Sequence, residues 1–188
     1  MFESLAAYLI EKGGLTPDEL KQVEAVTVPK KIRKRQYLVQ EGDVSPYMSF
    51  VVKGCLRLYR VSDDGTEHIL RFVIENWWIS DYESYHSGQP AKNNVDALED
   101  SELLMIEKGN FDALCKTVPS FGKLVEKLTA KNFAAHQSRI LSNISETAEE
   151  RYENFMRSYP QIYNRVPLHM IASFLGVTRE TLSRLRQR

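Results

Sequence analysis

The chain has 188 residues, 43% of them apolar, with 25 basic and 25 acidic side chains and a formal net charge of zero. That length fits one ordinary domain or a sensor with a small appendage, and the apolar fraction supports a proper core. Two distant cysteines, Cys55 and Cys115, form neither a disulfide framework nor an iron–sulfur ligand set, so a reducing compartment fits and no cofactor or metal is expected. No apolar run is long enough to cross a bilayer, and an acidic amphipathic stretch follows Met1 where a signal peptide would be basic and then apolar; a soluble, cytoplasmic protein is expected.

Residues 2–12 carry apolar side chains at helical spacing and are stopped by Gly13-Gly14. Thr16-Pro17-Asp18-Glu19 then reads as a capping box with proline at the first helical position. After Val28 come short runs rich in β-branched and aromatic residues, at 37–40, 48–53, 56–61, 68–74, 95–98 and 103–106. Turn signals at Glu41-Gly42-Asp43, Lys53-Gly54, Asp63-Asp64-Gly65 and Ser87-Gly88-Gln89-Pro90 separate them, and the spacing predicts an antiparallel roll or barrel. The basic run at 29–35 precedes these strands. It is read as a solvated sheet edge, where lysine discourages pairing with another sheet, ahead of a nucleic-acid patch. From Asn110 the helical period returns. A helix is predicted over 120–141, with Phe121, Leu124, Val125, Leu128, Ala135 and Ile140 along one stripe. That stripe fits a dimer seam and a face packed on the roll equally well. A further helix is predicted over 145–158, capped by Ser145 and ended by Tyr159-Pro160.

The last 21 residues say most about function. Leu168, Ile171, Ala172 and Leu175 lie on one helical face, Leu182 and Leu185 on another, and Gly176 sits between them with Val177. A helix-turn-helix needs a small residue at the crossing, here Ala172, and a glycine free to take positive φ at the turn, here Gly176. Pro167 suits the first turn of the first helix, and Thr178 can cap the second, with Glu180 in its first turn. Arg179, Glu180, Thr181, Ser183, Arg184, Gln187 and Arg188 are left outward, as donors and acceptors suited to base edges and phosphates. Residues 164–188 hold five arginines and one acidic residue, so the charge is concentrated where phosphates would lie. An ordinary helical hairpin with a solvated basic face is the bland alternative.

Roll, long helix and helix-turn-helix, in that order, resemble the CRP/FNR family, the catabolite-activator-like bacterial regulators, over nearly the whole chain. Glu41-Gly42-Asp43 and the runs 48–54 and 56–64 look like the family's sensor roll, and Arg179-Glu180-Thr181-Leu182-Ser183-Arg184 is similar to its recognition helix. The resemblance implies an α+β fold: an N-terminal antiparallel, cyclic-nucleotide-binding-like β-roll (1–115), a long dimerisation helix (116–143) and a helix-turn-helix domain without a visible wing (144–188). It implies base contacts from Arg179, Glu180 and Arg184, with Thr178, Thr181, Ser183 and Arg188 completing the DNA-binding set. It also implies a homodimer on a near-palindromic duplex, with RNA polymerase as a further partner. The wing that many members carry would follow Arg188; either the protein dispenses with it or the chain is cut, and fewer phosphate contacts would result.

Members that bind cyclic nucleotides hold ribose and phosphate with a Gly-Glu step and an Arg-Ser pair. Ser80-Asp81 and Ala91-Lys92 stand at those places here, so the fork for a cyclic phosphate is absent and tight cyclic AMP binding is not expected. A different ligand would meet Ser80, Asp81, Tyr82, Glu83 and Lys92. Trp77, Trp78, Tyr82, Tyr85 and His86 offer either an aromatic-lined site or simply roll core. A haem ligand would have to come from His68 or His86, each lone. For catalysis, Asp63-Asp64-Gly65 reads as a turn, 145–150 as a helix start, and the four histidines are scattered, so no enzyme is expected. The alternative class is a ligand-binding signalling module whose C-terminal helices contact protein instead of DNA.

Overall fold

A computed structural model describes residues 1–187. Two helices open the chain, α1 (Phe2–Gly13) and α2 (Pro17–Ala25). Thr16 and Glu19 form the expected reciprocal capping box at the start of α2. Eight strands follow: β1 (Thr27–Ile32), β2 (Tyr37–Val39), β3 (Tyr47–Lys53), β4 (Leu56–Val61), β5 (Glu67–Val73), β6 (Trp78–Ile79), β7 (Asn94–Ala97) and β8 (Ser101–Glu107). A short helix, α3 (Tyr82–Ser87), interrupts them between β6 and β7.

The strands form two antiparallel four-stranded sheets, ordered β1-β8-β3-β6 and β2-β7-β4-β5. Their inner faces meet over Ile32, Val51, Leu56, Val73, Val95 and Leu103, all at most 2% exposed. Gly54 lets the chain pass from one sheet to the other. Its φ is +111°, and a Cβ there would lie 2.1 Å from the Ser101 hydroxyl, so no side chain fits.

The six expected strands are all present within a few residues, and β1 and β6 are additional. The basic run at 29–35 precedes a strand, β2, as expected, and its first four residues also belong to an unexpected one, β1, at the edge of its sheet. Pro29 hides that strand in the sequence, yet an edge tolerates proline because one side of the backbone needs no partner. Lys30, Arg33 and Lys34 are exposed, as a solvated edge requires.

The chain continues with α4 (Lys108–Thr117) and then α5, which runs without a break from Pro119 to Ser145. The stripe on α5 divides. Phe121 and Leu124 are buried, and Val125 and Leu128 partly so, in a core shared with Leu9, Phe50 and Ile106. Ala135 and Ile140 are exposed, and they lie in a half-helix whose outward face also carries Phe133, Leu141 and Ile144. Thus the apolar stripe packs on the roll along the N-terminal half only, and the C-terminal half reaches the roll through Arg139, which donates to the Leu70 carbonyl.

Four helices complete the chain: α6 (Ala148–Ser158), α7 (Pro160–Tyr163), α8 (Leu168–Leu175) and α9 (Arg179–Arg186). The cap of α6 is Thr147, not Ser145. Thr147 and Glu150 make the reciprocal box, whereas the Ser145 hydroxyl donates back to the Leu141 carbonyl at 2.8 Å inside α5. A third core joins both ends of the molecule. Phe155, Ile162, Ile171, Leu175 and Leu182 pack with Cys55, Tyr59, Ile69 and Phe72 of the roll. Among the described residues no helix is long and apolar enough to cross a membrane.

Candidate nucleic-acid interface

The turn between α8 and α9 is built as its residues dictate. Gly176 takes φ +66° at the C-terminus of α8, and nothing lies within 4 Å of where a Cβ would stand, so conformation alone demands glycine there. Ala172, 2% exposed, lets α8 approach its neighbours, and Leu182, fully buried, ties α9 to Phe155, Ile171 and Leu175. Thr178 caps α9, its hydroxyl accepting from the Thr181 N–H at 3.2 Å. Pro167 stands one position earlier than expected, at the N-cap of α8 itself.

With Leu182 inward, Arg179, Glu180 and Arg184 point to solvent, and Thr181 and Ser183 are half-buried beside them. Among the described residues neither Arg179 nor Arg184 forms an ion pair. Arg186 differs, because its guanidinium lies over the Tyr163 ring at 5.6 Å. Six of the seven residues assigned to DNA therefore sit together on α9 and its cap, and Arg188 lies outside the described residues. An open cleft of about 720 Å³ adjoins this end of α9. Thr66, Glu67 and His68 of the β4–β5 hairpin face Thr178, Arg179 and Thr181 across it.

The residues assigned to a ligand pocket are engaged with one another. Asp81 is fully buried and caps α3: one carboxylate oxygen accepts from Ser84 N–H at 2.8 Å, the other from the Asn93 amide at 2.7 Å. Lys92 pairs with Glu83 at the surface, and Ser80 is half-buried. Tyr82 is 69% exposed and lies tilted against His86 with ring centres 4.2 Å apart. The five aromatic candidates do not converge. Trp78 packs on Phe50 in the helical core, Trp77 meets Tyr159, Tyr85 is buried, and Tyr82 with His86 stays outside. His68 shares its ring nitrogen with the Ser62 hydroxyl in a surface turn.

Comparison with known proteins now bears on the whole arrangement. Residues 29–118 match the cyclic nucleotide-binding domain family. Across 183 residues the chain is 26% identical to electron transport regulator A of Shewanella oneidensis, covering 91% of this chain and 72% of that protein. It is equally 26% identical, with the same coverage, to the fumarate and nitrate reduction regulatory protein of Vibrio cholerae. Among solved structures it is similar to FixK2 from Bradyrhizobium japonicum, with a TM-score of 0.75 at 20% identity, over 86% of this chain and 83% of that one. The chain is thus similar to these regulatory proteins over most of its length, and its fold is that of FixK2.

Within this chain, a group that sequence reasoning missed holds the C-terminal helices to the roll. Arg165, just after α7, donates four hydrogen bonds: two to Glu75 at 2.7 and 3.0 Å and two to Glu99 at 2.7 and 3.0 Å. Ser173 of α8 adds two more, accepting from Ile69 N–H at 3.0 Å and donating to the Glu67 carbonyl at 2.9 Å. A second bidentate pair, Arg57 on Asp96 at 2.8 and 2.9 Å, lies on the same sheet and also reaches Glu67. Burial works against the Arg57 charge, but Asp96 and Glu67 outweigh it and raise its pKa. Burial pushes the Glu75 carboxyl up, yet the Arg165 guanidinium and backbone N–H groups hold it below its ordinary value.

Arg165→Met should therefore loosen the C-terminal helices by about 1–2 kcal/mol, discounted for the solvent that reaches both carboxylates. Loss of amide-exchange protection along α8, with the roll unchanged, is the expected readout. The same clasp predicts a pH dependence. Glu75 has a depressed folded pKa, so its contribution is fully present above the ordinary carboxylate range and is lost as pH falls through the lower folded value.

Proposed function

We propose that the chain is a homodimeric, sequence-specific transcription regulator that reads a near-palindromic duplex through α9. The observation that carries this reading is the outer face of α9: Arg179, Glu180 and Arg184 are exposed and, among the described residues, without ion pairs, on a helix whose other side is locked by Leu182. Arginine forks onto guanine O6 and N7, glutamate accepts from a cytosine amino group, and Thr178, Thr181 and Ser183 supply neighbouring hydroxyls. One such helix makes few contacts, and a two-fold pair doubles them on a symmetric site. The C-terminal half of α5 supports the pairing. Phe133, Ile140, Leu141 and Ile144 are 61–78% exposed and recur at the spacing of a coiled-coil seam. Control by a small molecule other than cyclic AMP, contact with RNA polymerase, and a cytoplasmic location belong to the same reading.

Arg184→Ala tests it at one residue. Specific binding should weaken by about 1–3 kcal/mol, with preference relaxed at one base position and fold and dimer intact. If wild type and variant bind every duplex alike, the alternative gains: a ligand-binding module whose C-terminal helices contact protein.

A further inference from the structure

The exposed half of α5 carries one polar residue where its apolar pattern asks for none. Ala130, Phe133, Gln137, Ile140 and Ile144 follow one another at alternating steps of three and four, the spacing of a seam between two helices. Phe133, Ile140 and Ile144 are exposed, and so are Ala130 and Gln137. Arg139 fixes which way that seam faces. It stands on the far side of the helix from Gln137, lies 4.7 Å from the Phe174 ring centre and donates to the Leu70 carbonyl. The back of the half-helix is thus held to its own protomer, and the seam looks away from it.

In a seam of this kind a polar side chain weakens association and narrows the pairings that are allowed. A carboxamide both donates and accepts, so two glutamines facing each other across a two-fold axis satisfy one another. That meeting happens only when the helices run parallel and in register, because each seam position then faces its own copy. With the helices antiparallel, Gln137 faces Phe133 or Ile140 of the second copy. Slipped by one heptad, it faces Ala130 or Ile144. Either way a buried amide is left without a partner, which is the costly outcome.

We infer that Gln137 sets the orientation and register of self-association. A second copy of this chain pairs along α5 with its own Gln137 opposite, and the antiparallel and slipped pairings are excluded. The inference rests on the dimeric reading proposed above and deepens it. A parallel pair in register carries both copies of α9 to the same end of the seam, where one duplex can meet them, whereas an antiparallel pair sends them to opposite ends.

The test introduces Ala130→Cys, a small change at the head of the seam, into the full-length protein and oxidises it mildly. Sedimentation velocity gives the assembly state, and non-reducing electrophoresis gives the share of chains joined at position 130. The chain without Ala130→Cys controls for Cys55 and Cys115. A parallel pair in register places the two introduced thiols opposite each other, so most of the dimer should cross-link. Adding Gln137→Leu should tighten association at least about tenfold, yet cross-linking at 130 should fall several-fold because the other pairings are no longer penalised. Gln137→Asn, still a carboxamide, should cross-link like the parent. A protein that stays monomeric with or without Ala130→Cys overturns the dimeric reading and the inference with it. A dimer that does not cross-link at 130, or a Gln137→Leu variant that cross-links as fully as the parent, overturns the inference alone and leaves the dimer standing.

Discussion

Ile140→Asp/Ile144→Asp is expected to leave the protein monomeric, with its circular dichroism unchanged. Both side chains stand on the outer face of α5, 61% and 78% exposed, so nothing in their own chain depends on them. In a two-fold pair each would be buried twice. Full burial of an isoleucine is worth about 1.5–3 kcal/mol, and an aspartate at the axis adds desolvation and like-charge repulsion. A net loss of even about 3 kcal/mol weakens self-association by more than a hundredfold. Sedimentation velocity at micromolar concentration reads this directly. A variant that still sediments as a dimer would place the seam elsewhere. Palindromic duplex binding should fall with the dimer, because a single α9 reads only one half-site.

Leu182→Ala should produce the largest loss of stability near the proposed DNA-reading face. Leu182 is the fully buried anchor of α9, and a leucine-to-alanine change in such a place costs about 2–5 kcal/mol through lost transfer energy and the cavity left behind. The loss should be uneven. The helical core around Leu9, Phe50 and Phe121 shares no residue with the cluster around Leu182, so exchange protection there should persist while α6 to α9 open. Arg184→Ala, two residues along the same helix but exposed, should change stability by less than about 0.5 kcal/mol. A Leu182→Ala protein whose α9 stays as protected as wild type would contradict the packing described above.

Much of this was legible from local chemistry. Gly176, Ala172 and Thr178 each make a demand met within a few residues, and the turn they specify is present. The same holds for Thr16-Pro17-Asp18-Glu19 and for strands bounded by glycine turns. Where two residues offered the same chemistry, sequence reading chose the wrong one: Ser145 and Thr147 are both hydroxyls, and the glutamate three residues after Thr147 decides the cap. β1 was hidden because proline and a run of cations are unlike a strand except at an edge. The α5 stripe was visible, but not that the roll ends halfway along it. Nothing local announces Arg165, whose carboxylates lie 66 and 90 positions upstream. Such contacts depend on how distant elements meet. The sensor loop is intermediate: Ser80-Asp81 and Ala91-Lys92 showed that the family's phosphate fork is missing, while the structure adds that Asp81 is spent on Ser84 and Asn93.

Selection of random duplex DNA on the purified protein, run beside Arg179→Ala/Arg184→Ala, tests the central claim most directly. The wild type should enrich a near-palindromic motif whose two halves lie about one helical turn apart, and the double variant should lose it while remaining a folded dimer. Enrichment of no motif by the wild type, with binding that merely fades as salt rises, would contradict groove reading by α9 and reduce its arginines to a basic surface.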